Sequence, residues 1–409
     1  MNILFISLGC DKNLVDSEVM LGLLDREGYQ IVDDETEADV IVVNTCCFIH
    51  DAKEESIQAI LEAAEYKETG RLKALIVTGC LAQRYQKEIA EEIPEVDAVL
   101  GTASYDKIAE AVKEALAGHP CMEMKDIDAL PLVDAKRLVT TGGHYAYLKI
   151  AEGCDKHCTY CIIPKIRGNY RSVPMETLIE QAKQLAEQGV KELILVAQET
   201  TIYGTDLYGK KSLHLLLKEL CKIPGIVWIR VLYCYPEEIY PELIETIRDE
   251  KKICHYLDLP IQHASDRILK RMGRRTSKQQ LIDIVSTLRK EIPDIVLRTT
   301  LITGFPGETQ EDHEELMEFV DQMEFDRLGV FTYSAEELKQ VKGDFQESSF
   351  VKEKTGVDNV CERAAMKAAN EEGTFILRKQ AENGMTIAIV KYDWKLEREL
   401  AKEYRIDEQ

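Results

Sequence analysis

The chain has 409 residues, enough for two or three domains that each bury a core. Lys and Arg number 51 against 73 Asp and Glu, giving a formal charge of −22, which does not favour general attraction to nucleic-acid phosphate and suits a basic protein partner. No apolar run reaches the ~20 residues of a membrane span.

The N-terminus starts directly as a strand, without a charged leader or cleavage site, so the chain reads as cytoplasmic. In that compartment its 12 cysteines are metal ligands or buried thiols more often than disulfides. Residues 1–117 alternate apolar runs (3–8, 39–43, 74–77, 98–100) with helical periodicity (14–27, 51–66, 83–92, 105–117). That alternation predicts an α/β domain with an open, mostly parallel sheet.

Cys10, Cys46 and Cys80 each follow one of these strands. All three therefore fall beyond the carboxyl ends of strands, the edge where open α/β sheets bind ligands. Three convergent thiolates could hold an iron–sulfur cluster with one iron open. Cys47, next to Cys46, leaves the middle ligand ambiguous. Cys121, Cys221, Cys234, Cys254 and Cys361 have no metal-like spacing and read as buried or surface thiols.

Residues 118–143 carry Gly118-His119-Pro120, Pro131 and Thr140-Thr141-Gly142-Gly143, with little periodicity, and read as a linker. His119 and His144 read as loop residues. The second domain, 144–337, opens with a strand at 145–150 that delivers the chain to Cys154-Asp155-Lys156-His157-Cys158-Thr159-Tyr160-Cys161. A closed zinc site wants four protein ligands, with His157 the only extra candidate, whereas three thiolates on a cubane leave one iron free for a substrate.

Further βα units follow, with strands at 192–196, 228–232, 256–259, 296–300 and 327–332. Helices are expected at 175–188, 213–220, 241–248, 266–271, 277–291 and 310–323. Six strands with intervening helices predict a partial TIM-type (βα) barrel whose site lies at the C-terminal face. Gln198-Glu199-Thr200, Tyr235-Pro236-Glu237, Pro260-Ile261-Gln262-His263 and Gly304-Phe305-Pro306-Gly307-Glu308 all stand at that face. His263 is a polar contact, a proton carrier or an orienting group of its turn. Arg167, Arg171, Lys270, Arg271, Arg274 and Arg275 are basic spots, either solvated or facing a substrate or cofactor carboxylate.

The C-x3-C-x2-C loop resembles the signature of radical S-adenosylmethionine enzymes. With both cysteine sets placed, the chain is similar to the methylthiotransferase family. The motifs are Ser7-Leu8-Gly9-Cys10-Asp11-Lys12-Asn13-Leu14-Val15-Asp16-Ser17-Glu18, the loop continuing into Ile162-Ile163-Pro164-Lys165-Ile166-Arg167-Gly168, and Leu259-Pro260-Ile261-Gln262-His263-Ala264-Ser265-Asp266. They resemble most the branch that modifies a ribosomal protein.

The resemblance implies two [4Fe-4S] clusters and S-adenosyl-L-methionine. Cys10, Cys46 and Cys80 match the auxiliary-cluster ligands, and Cys154, Cys158 and Cys161 the radical-cluster ligands. Tyr160 matches an adenine contact, with Gln198, Arg298 and Gly304 as further contacts to S-adenosylmethionine. The implied reaction adds a methylthio group to the β-carbon of an aspartate of small-subunit ribosomal protein twelve, free or in the ribosomal particle. One S-adenosylmethionine methylates the sulfur, a second yields the hydrogen-abstracting radical, and a flavodoxin or ferredoxin supplies electrons.

A tRNA adenosine is the alternative substrate, less suited to the net charge, and a non-catalytic two-cluster electron carrier is a third reading. Glu199 departs from the Asp usual after the Gln. The match stops near residue 337. Residues 338–409 read as charged helices, with one strand at 385–390 and a helix at 395–404, in place of the family's small TRAM β-barrel, since one strand cannot make a barrel.

Overall fold

The structure, a computed structural model, describes residues 1–130 and 137–334, and the backbone of 374–381 and 384–391. Its first domain is a parallel sheet of β1 (Asn2–Ser7), β2 (Gln30–Ile31), β3 (Val40–Thr45), β4 (Ala74–Gly79), β5 (Ala98–Leu100) and β6 (Cys121–Glu123). The spatial order is β2-β1-β3-β4-β5-β6. Every residue of β3 and β4 is buried, because helices cover both faces.

Alternation along these strands splits the core in two. Ile41, Val43, Leu75 and Val77 face one layer, with Ile60 of α2 (His50–Thr69). Val40, Val42, Ala74 and Ile76 face the other, with Met20 of α1 (Asp11–Arg26) and Ile108 of α5 (Ile108–Leu116).

Two local expectations differ. The single helix expected at 83–92 is two, α3 (Cys80–Arg84) and α4 (Gln86–Glu92), broken at Tyr85, whose backbone leaves the helical region at φ −125°, ψ 35°. Cys80 therefore opens a helix. Strand β6, within the stretch expected to be a linker, pairs Cys121–Glu123 with Ala98–Leu100. Three residues after Pro120 are too few to show a period.

The second domain holds β7 (Tyr145–Lys149), the short antiparallel pair β8 (Ala151–Glu152) and β9 (Arg171–Ser172), then β10 (Glu192–Val196), β11 (Trp228–Val231), β12 (Ile253–Asp258), β13 (Val296–Thr303) and β14 (Arg327–Thr332). The large sheet runs β7-β10-β11-β12-β13-β14, six parallel strands in chain order, with β7 and β14 outermost. This is the expected open barrel.

Helices α6 (Ile163–Ile166), α7 (Met175–Glu187), α8 (Thr205–Tyr208), α9 (Leu213–Cys221), α10 (Pro241–Asp249), α11 (Asp266–Arg271), α12 (Lys278–Glu291) and α13 (Gln310–Met323) lie between the strands. Capping boxes start α12, with Ser277 and Gln280, and α13, with Thr309 and Asp312.

The tail holds an antiparallel hairpin of β15 (Thr374–Ala381) and β16 (Gly384–Lys391). Strand β16 contains the expected 385–390, whereas β15 replaces expected helix. Its sequence runs three apolar residues together and then turns polar, without the alternation of a half-buried strand. The helix at 395–404 and Cys361 lie outside the described residues.

Candidate active site and its two cysteine centres

The first centre forms where β1, β3 and β4 end. Gly9, at φ +88°, lets the turn carrying Cys10 press on Cys46, since a Cβ there would stand 3.1 Å from Cys46 Sγ and 2.8 Å from its Cβ. Asn13, wholly buried on α1, holds the three loops together. Its Nδ2 donates to Leu8 O at 3.0 Å and Thr45 O at 2.9 Å, so its Oδ1 faces the other way, 3.8 Å from Cys80 Sγ.

Ser56 grips Cys46 from the far side, accepting from its N–H at 2.9 Å and donating to its carbonyl at 2.8 Å. Burial pushes the Cys46 thiol up to about 12. Burial also raises Cys80, against the pull of the Arg167 guanidinium.

Cys46 and Cys47 point in different directions. Cys47 turns into the apolar core, fully buried, with its Sγ donating to Cys80 O at 3.1 Å. Cys47→Ala is therefore expected to keep the iron of this centre, while Cys46→Ala loses it. Iron counting on the two purified variants checks this.

The second centre is the loop from Cys154 to Cys161. Its base is pinned by the β8–β9 pair and by Cys154 N–H donating to Gly168 O at 3.1 Å. Gly153 is required there, because a Cβ would fall 2.0 Å from Asn169 O. The far end is held by Thr159, which donates to Met272 O and, through Oγ1, to Arg271 O.

Cys158 and Tyr160 pack with Ile268, Met272 and Phe305, a small dry core, with Gly304 at φ +70° beside Phe305. The Tyr235 hydroxyl stands 3.5 Å from Cys158 Sγ, and Arg274 stacks 4.2 Å over the Tyr235 ring. Burial lifts the Cys154 thiol to about 12 and the Glu199 carboxyl to about 7. His157 is exposed and in left-handed backbone.

Around this centre several buried polar atoms have no protein hydrogen-bond partner: Arg274 Nε and Nη1, Gln198 Oε1 and Glu199 Oε2. Buried polar atoms cost about 1–3 kcal/mol each when unpaired, so they mark the place of a polar ligand. Gln198 gives its other end to Glu152, with Nε2 donating at 2.6 Å, and Arg298 donates to Asp258 at 2.6 Å. All 11 described cysteines are free.

Among the described residues no three His, Cys, Asp or Glu side chains close around a point as ligands of one ion. The donor sets are three cysteines each with no added carboxylate, and they fit iron–sulfur clusters.

Sequence reading did not foresee what joins the centres. Asp16 of α1 meets Lys149, and Lys149 donates to Glu152 at 2.8 Å. Arg167 Nη1 donates to Asp16 at 2.7 Å and Glu152 at 3.2 Å, and its Nη2 to Asn13 Oδ1. Burial opposes the charges of Lys149 and Glu152, yet attraction to their partners outweighs it, holding Lys149 well above and Glu152 well below their ordinary ranges. Asp11 also accepts from the Tyr233 hydroxyl at 3.0 Å, and Lys12 lies 3.3 Å over that ring.

His263 orients its turn. Its Nδ1 accepts from Ser265 N–H at 3.0 Å, which leaves Nε2 facing Glu308 at 3.6 Å. Burial disfavours the Glu308 charge, but His263 and His313 outweigh it and hold the carboxyl at about 2. A lowered carboxyl stabilises the fold above its unfolded value, and that contribution fades as pH falls through 2. Glu308→Gln is thus expected to lose about 2–3 kcal/mol near pH 7 and almost nothing near pH 2, measured by denaturant unfolding at both values.

No helix of the described residues is long and apolar enough to cross a membrane. Residues 2–101 match the family described as Uncharacterized protein family UPF0004, 148–320 the Radical SAM superfamily, and 299–390 Cobalamin synthesis G C-terminus. Among solved structures, the radical S-adenosylmethionine methyltransferase TsrM from Kitasatospora setae aligns with TM-score 0.59 at 12% identity, over 100% of this chain and 89% of that one, which supports the fold.

The chain is 69% identical over 337 residues to the ribosomal protein uS12 methylthiotransferase RimO of Lachnoclostridium phytofermentans, covering 82% of this chain and 77% of that protein. It is 55% identical over 331 residues to the protein of the same name from Clostridioides difficile, covering 81% and 74%. With both cysteine sets carried on a radical SAM core and this likeness over most of its length, the chain belongs to the ribosomal protein uS12 methylthiotransferase family.

Proposed function

We propose that this radical SAM enzyme transfers a methylthio group to the β-carbon of an aspartate of ribosomal protein uS12, in the cytoplasm, with electrons from a flavodoxin or ferredoxin. The observation that carries the reading is the pair of three-cysteine centres at the carboxyl edges of two parallel sheets, bridged by Arg167. Cys154, Cys158 and Cys161 would hold the radical cluster, and Cys10, Cys46 and Cys80 the auxiliary one. When bound, the clusters supply one-electron cleavage of the S-adenosylmethionine sulfonium and an iron able to carry sulfur.

The protein supplies position and dryness. Phe305, Met272 and Ile268, fully buried, keep water from Cys158 and Tyr160. Gln198 and Glu199 present unpaired polar atoms to S-adenosylmethionine, the Tyr160 backbone stands beside them as an adenine contact, Gly304 leaves its backbone approachable, and Arg298 keeps donors beyond those on Asp258 for a carboxylate. The acidic surface, −22 overall, speeds encounter with a basic ribosomal protein.

The test is mass spectrometry of small-subunit ribosomal proteins after anaerobic incubation with the reconstituted protein, S-adenosylmethionine, sulfide and a reductant. A methylthio mass on one uS12 aspartate is the expected result. Deoxyadenosine formed with uS12 unmodified, and with a methylthio mass found on added tRNA, would overturn the substrate assignment.

A further inference from the structure

We infer that Arg167 is a positioning residue that sets the electron affinity of the auxiliary centre from the radical domain, by holding its guanidinium against the Cys80 ligand. The inference rests on the assignment of Cys10, Cys46 and Cys80 as that centre's ligands. Arg167 follows α6, six residues after the last cysteine of the radical loop, yet its side chain leaves its own domain.

The fork is fixed at three points: Nη1 on Asp16 and Glu152, and Nη2 on Asn13 Oδ1. Cys80 Sγ points at the same Asn13 oxygen, 3.8 Å away. That oxygen cannot be exchanged for the amide nitrogen by a flip, because Nδ2 is engaged with two carbonyls. Guanidinium and thiol therefore converge on one immobile atom, with Arg167 only 2% exposed.

Two anions, Asp16 and Glu152, and two cations, Lys149 and Arg167, balance in this buried quartet. An arginine so placed is held by its partners rather than by the cluster. A fixed positive charge beside a thiolate stabilises the more negative, reduced state of a cluster, and low dielectric strengthens that effect. Lysine at the same place would keep the charge and lose the fork.

The experiment is a potentiometric titration followed by electron paramagnetic resonance. It uses the full chain with Cys154, Cys158 and Cys161 replaced by alanine, so that only the auxiliary centre reports. Arg167→Gln is expected to move its midpoint potential to a more negative value, Glu152→Gln to a more positive one, and Arg167→Lys to leave it near that of the unsubstituted background. The double variant R167Q/E152Q keeps the buried charges paired, and is expected to fall between its two parents even if R167Q does not fold.

Potentials that do not move in opposite directions for R167Q and E152Q, with the cluster assembled, would sink the inference alone. With R167Q unfolded, a double variant at or above the E152Q potential would do the same. Failure of any cluster to assemble on Cys10, Cys46 and Cys80 in the background protein would instead remove the ligand assignment, and the inference with it.

Discussion

Cys158→Ala is expected to abolish reductive cleavage of S-adenosylmethionine while about half of the iron stays bound, the share of one [4Fe-4S] cluster in two. Cys158 is the most enclosed of the second set, packed with Tyr160, Ile268, Met272 and Phe305 and 3.5 Å from the Tyr235 hydroxyl. An alanine there removes a ligand from the packed core, and the buried thiols of Cys47 and Cys234 are turned into cores of their own. Loss of an outer-shell partner already costs 10–100-fold at metal sites, so loss of a ligand should lower deoxyadenosine formation by more than about 100-fold. The first centre is anchored separately, by Asn13, Ser56 and Gly9, none of which touches the second loop. Chromatographic assay of deoxyadenosine beside iron counting and electron paramagnetic resonance decides it. Disappearance of both clusters together would contradict two independent centres.

How far the sequence disclosed this arrangement depends on how many residues each feature spends on its signal. Strands β3 and β4 are unbroken apolar runs covered on both faces, and the six long strands of the second domain recur between amphipathic helices, so both sheets are readable. Elements of two or three residues, β2, β6, β8 and β9, carry no period and are fixed only by the strands beside them. The placement of Cys10, Cys46 and Cys80 after strands is legible because the strands before them are. Cys46 and Cys47 could not be separated, since side-chain direction at a strand end depends on the Ser56 grip from a helix ten residues on.

The charged quartet was hidden for a different reason. Lys12, Asp16 and Glu18 have the composition of a solvated face of α1, and they are buried because the second domain and residues 137–140 settle on that face. Arg137 pairs with Glu18 at 2.9 Å, and Thr140 donates to the same carboxylate at 2.7 Å. Arg167 was expected to be solvated or to face a substrate or cofactor carboxylate. It meets carboxylates of the protein itself, Asp16 and Glu152, a pairing that depends on three distant segments. Arg171, by contrast, reaches the exposed Asp128 at 3.3 Å and donates to the Arg167 and Asn169 carbonyls.

Asn13→Ala should be strongly damaging, because one side chain serves three loops and both domains. Its removal leaves Leu8 O and Thr45 O without their amide donor and Arg167 Nη2 without its acceptor, all beneath the domain contact. Unpaired buried polar groups cost about 1–3 kcal/mol each, less when the site relaxes, so a loss of about 3–5 kcal/mol in unfolding free energy is expected for the metal-free chain. The isosteric Asn13→Asp should not rescue it. A carboxylate keeps an oxygen for Arg167 but turns a second oxygen towards two carbonyls that need a donor. Denaturant unfolding of the three metal-free proteins reads the first effect, and iron bound after reconstitution reads the second, since the Cys10, Cys46 and Cys80 loops lose their common tie. An aspartate variant as stable as the parent, with full iron, would show that Arg167 alone carries the contact and that the two carbonyls find water.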